Sequence, residues 1–99
     1  EVKSVRAYES MFVIAPTVPE EEIDAFIDRF VQLIVNNGGE VTEIDKMGRR
    51  RLAYEIEDFT EGYYVVLYFN AQPDAVAELE RVYKITDNVI RSMVVRKDS

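Results

Sequence analysis

The sequence predicts an α+β fold, a four-stranded antiparallel sheet with two helices on one face, its elements in the order β-α-β-β-α-β. Three observations carry this. Short runs alternate apolar and polar residues, as Leu52, Tyr54 and Ile56 do, which is the period of a strand with one buried face. Between them Ile23, Phe26, Ile27, Phe30 and Ile34 recur at helical spacing. Proline and glycine separate the runs at Pro16, Gly38, Gly39 and Pro73.

Taken in order, residues 6–14 read as the first strand, with Tyr8, Ser10, Phe12 and Ile14 on one face. Pro16 ends it, because proline cannot donate to a ladder. Thr17 followed by Glu20 fits a capping box, and Glu20, Glu21 and Glu22 suit the positive start of a helix. Asn36, Asn37, Gly38 and Gly39 stop that helix with residues that accept left-handed backbone. The second strand starts at about Glu40. Val41 and Leu52 have opposite parity, so a bulge is expected near Met47 and Gly48. Residues 58–62 form the hairpin connection. The third strand runs from Tyr63 to about Ala71 and opens with seven residues that are all aromatic or aliphatic. Such a strand is central and covered on both sides, or keeps one face for a partner. Pro73 opens the second helix, which turns Val76, Leu79 and Val82 inward. After a turn at residues 85–88 the fourth strand runs over residues 89–96.

This order is the ferredoxin-like split β-α-β arrangement. Phe12, Phe26, Ile27, Phe30, Leu52, Val65, Leu67, Leu79 and Val94 are expected to share one core. One domain is expected over residues 6–97, with residues 1–5 an expression remnant or a processed end. The first residue is Glu1, and no low-complexity tract or linker interrupts the rest.

Ninety-nine residues, 47% hydrophobic and 31% charged, are ordinary for a soluble globular chain. The chain has no cysteine and no histidine. That excludes a disulfide framework, a thiol nucleophile and thiolate metal sites, along with the commonest general base. No apolar run reaches membrane-spanning length and no signal-peptide pattern opens the chain, so the cytoplasm is expected. No glycine-rich phosphate cradle or nucleophile elbow occurs. Glu55 and Glu57 read as solvated strand carboxylates, having no histidine to work with. No enzymatic activity, cofactor, metal or small-molecule substrate is expected.

The net charge of −7 argues against nucleic acid, but the charges are segregated. Residues 9–30 net −5, residues 46–51 net +4 and residues 81–97 net +4. Lys46, Arg49, Arg50 and Arg51, with Arg91 and Arg96, form the candidate RNA-binding set, since guanidinium forks match phosphate oxygens. A charged strand edge also blocks aggregation, but three adjacent arginines in an acidic chain exceed that need. Helices on one face leave the other face of the sheet open. Met11, Val13, Tyr64, Val66, Tyr68, Met93 and Val95 would lie there with Glu9 and Arg91. Their contiguity on neighbouring strands predicts a protein-docking surface.

The same topology occurs in RNA-recognition motifs. The matching run would be residues 61–68, where Gly62, Tyr63, Val66 and Tyr68 fit the pattern while Glu61, Tyr64 and Val65 depart from it. A single-stranded RNA module that stacks bases is therefore one alternative, and a small regulatory ferredoxin-like domain another.

Four stretches resemble the bacterial ribosomal protein S-six family. They are Arg6-Ala7-Tyr8-Glu9, the run from Gly48 through Arg49-Arg50-Arg51-Leu52-Ala53-Tyr54 to Ile56, Gly62-Tyr63-Tyr64, and the run from Asp87 to Val95 containing Ile90-Arg91-Ser92-Met93-Val94. The resemblance implies a non-catalytic component of the small ribosomal subunit. It also implies binding to the central domain of small-subunit ribosomal RNA together with the small basic ribosomal protein S-eighteen, and family-like basic residues at Arg49, Arg50, Arg51 and Arg91. Met47 stands where the family often has tryptophan, and acidic Glu57 and Asp58 stand where many members have a lysine.

Overall fold

A computed structural model describes residues 5–97, so the expectation for residues 1–5 lies, except for Val5, outside the described residues. Its elements are β1 (Arg6–Ile14), a 3-10 turn (Glu20–Glu22), α1 (Ile23–Asn36), β2 (Glu40–Ile56), β3 (Phe59–Ala71), α2 (Pro73–Ile85) and β4 (Val89–Arg96). The strands form one sheet in the order β2-β3-β1-β4. All three pairings are antiparallel, as the ferredoxin-like arrangement requires.

The main core lies between the sheet and both helices. Phe12 of β1, Phe30 of α1 and Tyr83 of α2 bring their rings within 4.9 to 5.1 Å of one another, centroid to centroid. Val65, Leu67, Ile27, Ile34 and Leu79 complete it. Ser10 is buried beside these rings, and its Oγ lies 2.7 Å from the Tyr83 hydroxyl. Among the described residues no buried side-chain nitrogen or oxygen lacks a partner.

Helix α1 ends in a Schellman closure. Gly38, at φ 84°, sends its N–H to the Val35 carbonyl, and Gly39 sends its own to that of Ile34. Its start differs from expectation: Thr17 does not cap it. Pro19, in extended backbone, opens the 3-10 turn, and Glu22 holds the N-cap position of α1, neither with a side-chain cap. In α2, Pro73 sits in the first turn as expected. The buried face is Ala75, Leu79 and Tyr83, spaced by four, while Val76 and Val82 flank it half-buried.

The hairpin is longer than predicted. Its turn is Glu57 and Asp58, both at positive φ (50° and 69°), and Ile56 pairs with Phe59. A two-residue turn with both φ positive matches the twist of the flanking strands. Thr60 and Glu61 look like loop because they are polar, but they are strand residues, Glu61 standing opposite Arg51.

The expected bulge is present between Lys46 and Gly48, with Gly48 at φ 89°. A larger irregularity follows, with residues 52–55 of β2 opposing Thr60 alone. This excursion corrects the single-core expectation. Leu52 lies on the side of the sheet away from the helices, where it packs with Val13, Ala15 and Ile90 in a second cluster. Val94 is only half-buried at the rim of the main core.

Candidate nucleic-acid and protein interface

Strand parity decides where each basic residue goes. Lys46 stands opposite Val65 and Arg49 opposite Tyr63, residues that pack toward the helices. The extra residue at the bulge is what places positions 46 and 49, three apart, on the same side. There they meet the acidic start of α1. Lys46 Nζ donates to Asp24 Oδ1 at 2.7 Å, and Arg49 Nε lies 3.9 Å from Glu20 Oε1. The hydrogen bond to Asp24, with its charge, holds the Lys46 amine above its usual range. Arg51 is also on the helix side, opposite Glu61, and Arg96 is on that side of the far edge, opposite Tyr8.

Arg50 points the other way, opposite Gly62. Arg91, opposite Val13, shares that open side, and its guanidinium carbon lies 6.0 Å from the Tyr54 ring centroid. The six predicted cations are thus not one patch. Lys46, Arg49 and Arg51 line one edge on the helix side, Arg96 lies at the opposite edge, and Arg50 and Arg91 lie on the open side. Among the described residues Arg50, Arg51 and Arg91 make no ion pair.

The predicted protein surface is partly corrected. Val13 and Val66 are buried, at 0% and 5% exposure, and present nothing to a partner. Val13 is covered by Leu52 and Ile90, and Val66 stands on a central strand between Met11 and Asp45. Met11, Tyr64 and Tyr68 are half-buried, while Met93 and Val95 are exposed. Glu9, Glu43 and Asp45 share this face by register, and Lys97 Nζ reaches Glu9 Oε1 at 3.3 Å.

Tyr54 was not foreseen as a surface group. The alternation of Leu52, Tyr54 and Ile56 predicted a common buried face, yet Tyr54 is 63% exposed. The only sequence signal was the parity conflict along β2, which pointed to the first bulge and not to the second.

On the helix side a cleft opens between α1 and β2, lined by Asp24, Ile27, Asp28, Val31, Ile44 and Lys46. Its one cation is engaged with Asp24. Among the described residues no group of three or more His, Cys, Asp or Glu is placed to hold a metal ion. Among the same residues no helix is long and apolar enough to cross a membrane.

The family model for ribosomal protein S6 matches residues 7–96. The chain belongs to the ribosomal protein S6 family. It is 51% identical to the small ribosomal subunit protein bS6 of Caldanaerobacter subterraneus subsp. tengcongensis, over 95% of this chain and 99% of that one. It is 49% identical to the bS6 protein of Thermoanaerobacter pseudethanolicus over the same shares. The crystal structure of 30S ribosomal protein S6 from Thermotoga maritima superposes with a TM-score of 0.89 at 41% identity, covering 95% of this chain and 89% of that one. Membership makes the chain a non-enzymatic protein of the small ribosomal subunit, working in translation in the cytoplasm.

Proposed function

We propose that the chain binds the central domain of small-subunit ribosomal RNA jointly with ribosomal protein S-eighteen, and that residues 6–97 act as one unit in doing so. The observation behind this reading is the sorting of charge on the open side of the sheet. Arg50 and Arg91, free of ion pairs among the described residues, stand at the end where β2 crosses over. Glu9, Glu43 and Asp45 share the face with the apolar strip of Met11, Tyr68, Met93 and Val95. Phosphate suits the first region and a basic protein suits the second. A chain of charge −7 repels RNA when alone, and a cationic partner supplies the missing field.

Within this reading Arg50, Arg51 and Arg91 take phosphate directly. Lys46 and Arg49 contribute only by leaving Asp24 and Glu20, and Arg96 acts from the far edge. Met11, Tyr64, Tyr68, Met93 and Val95 meet the partner.

The test combines capture from a bacterial lysate, with and without ribonuclease, and a salt titration of RNA binding by the partner-bound chain. Arg50→Ala and Arg91→Ala are expected each to flatten the salt slope by about one unit. Met93→Asp is expected to leave the chain folded and abolish partner binding. Unaltered slopes together with an unaltered partner affinity would remove the proposal.

A further inference from the structure

The excursion of β2 builds a feature that joint binding of RNA and protein does not itself require. β2 and β4 are the outer strands of the sheet, kept apart by β3 and β1. At ordinary strand spacing that separation is about 14 Å. Yet Leu52 of β2 packs with Ile90 of β4 and Val13 of β1, and Tyr54 reaches Arg91 of β4. Gly62 leaves room for Val13 beneath Leu52, since a Cβ there would collide with Val13 Cγ1 and press on the Ile14 carbonyl oxygen. Bulges that re-aim a side chain in this way are over-represented at functional sites.

What the excursion delivers is a tyrosine that is held but not buried. Leu52 anchors the segment, and the Arg91 guanidinium occupies one face of the ring. The residue is nevertheless 63% exposed. Arg50 lies on the same side of the sheet, four residues back along β2, and neither arginine has an ion-pair partner among the described residues. A fixed aromatic face beside unpaired guanidinium groups is the arrangement that takes a base and its phosphate together.

We propose that Tyr54 is a stacking platform for one unpaired nucleobase of RNA, with Arg91 backing the ring and Arg50 and Arg91 receiving the flanking phosphate oxygens. The proposal rests on the RNA-binding reading above and names the contact through which it works. An unpaired nucleotide fits where a duplex does not. Past Tyr54 the hairpin carries Glu55, Glu57 and Asp58, all exposed, and a double-stranded backbone laid over the tip would meet three carboxylates. Stacking uses the π-face common to all bases, so the platform tolerates any base identity.

The test uses the full chain with its protein partner on a central-domain fragment of small-subunit ribosomal RNA. Tyr54→Phe is expected to bind within about twofold of wild type. Tyr54→Leu, which keeps apolar bulk but loses the ring, is expected to bind about 5- to 100-fold more weakly. Its salt slope stays that of wild type, because no phosphate contact is lost. Arg91→Gln weakens binding and also flattens the slope by about one unit. Thermal stability of Tyr54→Leu should stay near wild type, as befits an exposed side chain. Wild-type RNA affinity in Tyr54→Leu overturns this proposal alone. Loss of affinity for the protein partner in that variant, measured without RNA, also overturns it and assigns the ring to the protein interface. Failure of the wild-type complex to bind the fragment overturns the RNA-binding reading as well, and is seen before any variant is compared.

Discussion

Ser10 Oγ and Tyr83 OH meet at 2.7 Å inside the aromatic core, 73 residues apart in sequence. Removing one hydroxyl strands the other away from water. Ser10→Ala is therefore expected to cost ~1–3 kcal/mol, and adding Tyr83→Phe to it should recover much of that loss. Urea unfolding of the two single variants and the double variant measures this. The pair also carries a pH signature. Burial pushes the Tyr83 hydroxyl well above its ordinary range, and the hydrogen bond between it and Ser10 only partly offsets that. Since the folded state holds this proton more tightly than the unfolded chain, the contribution is complete below about pH 10 and falls as pH rises beyond it. The stability difference between wild type and Tyr83→Phe should shrink as pH rises from about 10 to about 12, measured in steps of ~0.5 unit. Ser10 on the helix-facing side of β1 was legible from strand alternation. Its partner was not, because Val76, Leu79 and Val82 compete with Ala75, Leu79 and Tyr83 as the apolar stripe of α2. Only the contact with Phe12 and Phe30 decides between them.

At the scale of elements, β2 and β3 hold most of what the sequence left unread. The number, type and order of the elements followed from period and punctuation, and the bulge at Gly48 followed from parity. The turn did not, because Glu57 and Asp58 lack the glycine that marks a tight hairpin, and because the polar strand residues Thr60 and Glu61 resemble loop. The crossing of residues 52–55 was illegible for a different reason. It depends on Val13 and Ile90, 39 and 38 positions from Leu52, being there to receive its side chain, and on Gly62 leaving room for Val13. The same dependence makes Gly62 a strong lever. Gly62→Ala forces a methyl against Val13 and is expected to cost ~1–3 kcal/mol while leaving the main core intact. Chemical denaturation measures the loss. An undiminished midpoint would mean that the crossing is loose enough to shift aside. The candidate site suffers most from this: Arg50 and Arg91 stand out in the sequence, but the alternation of Leu52, Tyr54 and Ile56 points Tyr54, which lies against Arg91, to the interior.

For the molecule as a whole, the balance between its acidic helix start and its basic strand sets how available the cations are. Asp24 and Glu20 engage Lys46 and Arg49 at distances of 2.7 and 3.9 Å. All four side chains are substantially exposed, so the pairs add little to stability. They do compete with phosphate for the same two cations. Asp24→Asn and Glu20→Gln are expected to leave the melting temperature nearly unaltered. Each should raise RNA affinity of the partner-bound complex at low salt and steepen the salt slope by up to about one unit. A salt titration against wild type checks this, and an unchanged slope in both variants would show that RNA does not approach the helix-side edge. The sheet order has a further consequence, for the time at which this molecule comes into being. β1 leaves the site of synthesis first, yet it lies in the interior of the sheet, bounded by β3 on one side and β4 on the other. Its second neighbour is the last of these four strands to be made. Until residues 89–96 emerge, the nascent chain carries β1 with a bare edge and no closing strand, and such edges invite pairing with other chains. A protein destined for an assembly line of other polypeptides thus completes its own sheet only once its fourth strand has been made.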